Sequence, residues 1–198
     1  METEMTRRWA ELVKESFLRP RTAARRILGM RFGPNELLQL ALVITCLGII
    51  LAFVAMRVSG GVVDGVATWM LGTPLLGALV EFALLGVIAV LTHRIGALFG
   101  GSGSFWDALT LLVWLNAVML VLQVAQLLML FVLPPLAPPV AFFAVFWGLW
   151  AFANFVTELH GFNNPMMVLG GVVLTTIVLF IGVAMLLAIL GITPSGGT

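Results

Sequence analysis

Six side chains in this sequence have the chemistry to do more than pack: Glu81, His93, Arg94, Asp107, Glu158 and His160. Two histidines with two carboxylates can hold a cation, and an imidazole beside a carboxylate can move protons. The spacing does not favour either use. No His-x-x-x-His or Glu-x-x-His pair occurs, so no single helix would fix a metal's geometry. No nucleophile stands beside a base, because Ser102 and Ser104 are spent as turn and cap residues. The expectation is therefore no catalytic residue, no metal, no cofactor and no enzyme. Arg94 paired with Asp107 or Glu158, and His160 hydrogen-bonded near a helix end, would instead lock three helices together.

Glu81 is a separate case. It lies inside an apolar run, about 10 Å from its end, where an ionised and unpaired carboxyl would cost several kcal/mol. Such a group must be protonated or partnered. Gln123 falls at a comparable depth on the next apolar run and is its expected partner. Two readings stay open: a neutral hydrogen bond between helices, or the working acid of a small transporter or channel.

The elements that position these groups follow from composition. Of 198 residues 61% are hydrophobic and 10% charged, more apolar surface than a soluble domain of this length can hide. The bilayer is the solvent that such a chain needs. Apolar runs at about 37–56, 75–99, 108–132, 140–159 and 167–190 are each long enough to cross it. The links between them carry breakers: Gly60-Gly61 and Asp64-Gly65, with an interfacial turn over 66–71 that includes Trp69; the 100–104 glycine-serine turn; the stiff proline connector 133–139; and Asn163-Asn164-Pro165. The 100–104 turn has no lysine after it and no strand before it, so it is no phosphate cradle. Ser104 and Asp107 suit the start of the third span, one as cap and one at the positive helix end. Asn116, Gln123 and Gln126 share one face of that span. Gly86, Gly96-Ala97, Gly100-Gly101, Gly170-Gly171 and Gly182 read as close-packing points between helices.

Eight of the ten Lys and Arg residues precede residue 37, and only Arg57 and Arg94 follow. Trp9, Leu12, Val13, Ser16 and Phe17 recur on one face over residues 7–19, with charged residues on the other. That pattern predicts an amphipathic helix in the headgroup layer, aromatic face down. Arg7, Arg8, Lys14, Arg19, Arg21, Arg25 and Arg26 would then face anionic lipid. Pro20 breaks this helix, and a second basic segment ends at Gly33-Pro34. Loop charge places the N-terminus in the cytoplasm and, after five spans, the C-terminus outside. His93, Arg94, Asp107, Glu158 and His160 would share the cytoplasmic interface. Cys46 reads as a packing residue within the first span. The start does not read as a cleavable signal, so the N-terminus is expected to be retained.

The expected architecture is all-α: a polytopic membrane protein with a five-helix bundle over 37–191, a basic amphipathic segment over 1–36 and a short polar tail over 192–198. Its lead-in Phe17-Leu18-Arg19-Pro20-Arg21, the Gly100-Gly101-Ser102-Gly103-Ser104-Phe105-Trp106-Asp107 turn and the Trp-rich fourth span ending Glu158-Leu159-His160-Gly161 resemble the Yip family, the Ypt/Rab GTPase-interacting membrane proteins, in their bacterial form. The resemblance implies a cytosolic N-terminus, a five-helix domain and residence in a bacterial inner membrane. The resemblance speaks to fold more than to role; the chain as a whole is expected to act as a non-enzymatic organising or scaffolding protein, with a membrane protein or a second copy as partner and no nucleic acid. Eukaryotic members carry an Asp-Leu-Tyr-Gly-Pro type motif and a proline in the third span. This chain has no tyrosine and no proline over 108–132, so GTPase binding is not carried over.

Overall fold

The computed structural model describes residues 2–60 and 72–189; the expected 61–71 loop, with Asp64 and Trp69, and the 192–198 tail lie outside these residues. Among the described residues the chain forms α1 (Glu2–Leu18), α2 (Pro20–Leu28), α3 (Pro34–Ser59), α4 (Pro74–Leu98), α5 (Phe105–Val132), a 3-10 turn (Pro134–Leu136), α6 (Ala137–His160) and α7 (Pro165–Ile189), with no strand. Five helical stretches are long and apolar enough to cross a membrane. The chain is an all-α, multi-pass membrane protein.

Prolines open the helices because the first turn needs no N–H donor. Pro20, Pro34 and Pro74 all sit there. The same rule moves the start of the fourth span: Pro138 and Pro139 fall in the first turn of α6, which begins at Ala137 and not near residue 140. Ser104 caps α5, its Oγ accepting from the Asp107 amide at 3.1 Å and donating to Asp107 Oδ2 at 2.7 Å. Gly161 ends α6 at a φ of 72°, which a side-chain-bearing residue adopts only with strain. The Phe162 amide then reaches back to the Thr157 carbonyl at 2.9 Å.

Helix α5 is the hub. On one side Ala108, Leu111, Leu115 and Val118 meet Ala23, Ala24 and Ile27 of α2 and Trp147, Ala151 and Phe155 of α6. On the other, Leu109, Leu112 and Val113 meet Leu37 and Ala41 of α3 and Leu85 and Ala89 of α4. Burial is concentrated at the end of the bundle where α2 sits: Ala108 to Val118 in α5 and Trp147 to His160 in α6. This is called the basic end below. Towards the proline end the same helices show Phe131, Val132, Phe142 and Phe146 outward, as lipid-facing surfaces do. Helix α7 packs on α6, and none of its Pro165–Gly182 stretch is buried.

The N-terminal helices turn towards the bundle the aromatic face expected to point into lipid. Trp9 stacks on Trp114 with ring centroids 5.7 Å apart, and Phe17 meets Trp147 at 4.4 Å. Protein, not lipid, takes their aromatic face. The reason is polar: Ser16 Oγ accepts from Trp114 Nε1 at 2.9 Å and donates to the Leu12 carbonyl at 2.8 Å, a pairing that lipid tails cannot offer. Glu15 of α1 pairs with Arg26 of α2 at 2.6 Å and folds the two helices into a hairpin.

Ala24 is fully buried where α2 meets α5 and α6. Ala24→Leu should overfill that contact, at about 1–3 kcal/mol. Limited trypsin digestion in detergent checks it: cleavage at Arg25 and Arg26 should rise sharply while α3 to α7 stay intact.

Candidate functional site

The polar groups at the basic end arise from the ends of α4 and α6, the start of α5, and α2. Glu158, one turn before the α6 stop, has a side chain only 14% exposed. Burying a carboxylate to that degree calls for a charged partner. It has two: Arg21 Nε at 3.3 Å, and Arg25 through Nε at 2.5 Å and Nη2 at 3.3 Å. Arg21 Nη2 also donates to the Phe162 carbonyl at 3.3 Å. The backbone that Gly161 turns is thus an acceptor for the helix 141 residues earlier. The hydrogen bond from Arg25 to Glu158, and then their attraction, raise the Arg25 guanidinium above its ordinary value and keep it charged.

Arg94 is exposed and takes part in none of the ion pairs among the described residues. The expected Arg94 pairing with Asp107 or Glu158 is therefore replaced: α2 supplies the cations to Glu158, and Asp107 turns to Ser104. Of the basic residues expected to face lipid, Arg21 and Arg25 meet Glu158, Arg26 meets Glu15, and Arg7 pairs along its own helix with Glu11 at 3.6 Å. Arg7, Arg8, Lys14 and Arg19 are exposed.

The two histidines are held by backbone. His93 Nδ1 lies 2.9 Å from the Gly103 carbonyl and His160 Nδ1 lies 3.1 Å from the Val156 carbonyl. In each case the carbonyl accepts, so Nδ1–H is the donor. His160 is 4% exposed, its ring stacked on Phe162 at 5.4 Å. A Cβ on Gly96 or Gly101 would overlap that ring, so both positions are glycine to admit it. This is the close packing read at Gly96 and Gly101, with an imidazole as the guest. At Gly86, Gly170, Gly171 and Gly182 a Cβ would meet nothing within 4 Å. No group of three or more His, Cys, Asp or Glu among the described residues could hold a metal ion.

Glu81 and Gln123 stand apart from this end, both bordering Gly48 of α3. Asn116, on the Gln123 face of α5, donates to the Leu112 carbonyl at 2.9 Å. Sequence reasoning missed Arg21, Arg25, Gly48, Ser16 and Trp114 as partners. Only Gly48, the one glycine in the first apolar run, carried a signal that could have found it.

Removing the carboxylate with Glu158→Ala should cost about 1–3 kcal/mol, since it leaves two arginines without their buried acceptor. Thermal unfolding in detergent reads this. Arg21→Ala should be more damaging than Arg25→Ala, because Arg21 also holds the Phe162 carbonyl and its side chain is 35% exposed against 67%. Added salt should erode the Arg25 share first. Gly101→Ala should displace the His160 ring and destabilise by about 1–3 kcal/mol.

The chain matches no curated protein and no solved structure. Residues 14–187 match the Yip1 domain, a stretch that begins within α1 and runs through the hairpin and every spanning helix almost to the end of α7. With most of its length inside that match, the chain belongs to the Yip1-domain family.

Proposed function

We propose that this protein is a non-enzymatic organiser of the bacterial inner membrane that presents its N-terminal hairpin to partner membrane proteins. The observation that carries this reading is the docking of α1 and α2 onto the bundle through Glu158, Arg21 and Arg25. Their apolar faces are occupied, and Arg7, Arg8, Lys14 and Arg19 are left outward. A hairpin held in one orientation can offer a defined basic surface; a tethered one cannot. The titratable groups near it are taken up in structural contacts: Glu158 ties α6 to α2, His93 of α4 meets the Gly103 carbonyl in the turn before α5, and Asp107 completes the Ser104 cap of α5. By the positive-inside bias this surface faces the cytoplasm, where anionic headgroups are its first contact and a partner protein or a second copy of the chain is its second.

A photo-crosslinking residue at Lys14, in native membranes, tests the reading. Discrete protein adducts, lost when Glu158→Ala releases the hairpin, are the expected result. Adducts to lipid alone would sink the partner role. Reporter fusions at the two termini should signal opposite compartments, and the same compartment for both would contradict this orientation.

A further inference from the structure

In the middle of the bundle α3, α4 and α5 converge on Gly48. A Cβ there would sit 3.6 Å from Glu81 Oε1, 3.7 Å from Leu120 Cδ2 and 3.8 Å from Gln123 Oε1. The two oxygens therefore border one gap, closed on a third side by a leucine methyl. Gln123 Oε1 is sealed from solvent and has no hydrogen-bond partner. An open acceptor thus stands beside a carboxyl in a segment that crosses the membrane. Both are unfavourable there, the acceptor for want of a donor and the carboxyl if it is ionised.

Among the described residues of these three helices no other charge lies near the gap. Helix α3 carries Glu36, Cys46 and Arg57, α4 carries His93 and Arg94, and α5 carries Asp107. At 1.5 Å per residue, Arg57 lies about 13 Å along the axis from Gly48, His93 and Arg94 about 18 to 20 Å from Glu81, and Asp107 about 24 Å from Gln123. Arg57 itself lies over the Phe53 ring, 5.0 Å from its centre. Among the described residues no ion pair includes Glu81. A proton on Glu81 would remove the charge and put a donor at the gap that Gln123 Oε1 also borders.

We infer that Glu81, Gln123 and the gap at Gly48 form a site within the membrane that binds and releases one proton. The amide suits both states. With the proton bound, the carboxylic O–H donates and the Gln123 carbonyl accepts. When the proton leaves to water, the carboxylate becomes the acceptor, and the Gln123 amide turns over to donate an N–H. Leucine could do neither, and glutamate would add a second negative charge. Gly48 leaves room for the turn. The site is independent of the hairpin surface, so either role can fail without the other.

The test is infrared difference spectroscopy of the protein in liposomes, titrated from about pH 5 to about pH 9. Wild type should show a protonated-carboxyl band that titrates away and that Glu81→Gln abolishes. In Gln123→Leu the midpoint should rise by about one pH unit, because the carboxylate loses its donor and hydrogen bonds to charged groups are the stronger ones. Labelling with dicyclohexylcarbodiimide gives a second readout. The carboxyl proton passes to a carbodiimide nitrogen and the carboxylate oxygen bonds to its central carbon, so mass spectrometry should find the adduct on Glu81 where the band is present. A Glu81 band absent throughout the titration would overturn the site. So would a band that never titrates, or one that sodium removes at fixed pH, which would mark a metal-cation site instead.

Discussion

A half-buried carboxylate on α6 has to find positive charge, and here it finds it on the chain's second helix. Glu158 lies where α6 ends, its side chain mostly shielded, and Arg21 and Arg25 reach it from α2. Because these arginines are one turn apart, a single face of α2 is fixed towards the bundle. The opposite register would strand Glu158 and turn Ala23, Ala24 and Ile27 away from α5 and α6. Charge pairing and apolar packing thus select the same orientation, and α1 follows through the Glu15–Arg26 pair and the Ser16–Trp114 hydrogen bond.

The bundle is correspondingly asymmetric. At the basic end it resembles a soluble core, with fully buried alanines between helices and an imidazole let in between Gly96 and Gly101. Towards the proline end, and along α7, the side chains point outward as large apolar groups. In lipid that exposure carries no penalty, because hydrocarbon tails are as apolar as the side chains that they touch.

Much of this was legible in the sequence, for definite reasons. A stretch that must satisfy its backbone inside hydrocarbon becomes a helix, so run length alone locates the spans. Ser104 three residues before Asp107, and Gly161 after His160, marked their helix ends through local chemistry. The partners were not legible. An apolar stripe on α2 reads the same whether lipid or α5 covers it, so Ala23, Ala24 and Ile27 gave no sign of burial. Arg94 stood nearest by topology to Asp107 and Glu158, yet nothing local revealed that residues 137 and 133 positions earlier would take Glu158. The pairing of Glu81 with Gln123 was expected from depth, and both do border one gap, but the glycine that opens it belongs to a third helix.

Helix α5, with 28 residues, is about 42 Å long, against a hydrocarbon slab of about 30 Å. Some 12 Å of it must tilt or stand clear of the tails. Trp114, which receives Trp9 and Ser16, lies about 14 Å from the Phe105 end. The hairpin covers a length of α5 about equal to that excess. Membrane thickness becomes a competitor for that collar: a thicker sheet of lipid would lay claim to surface that α1 now covers, and a thinner one would yield it.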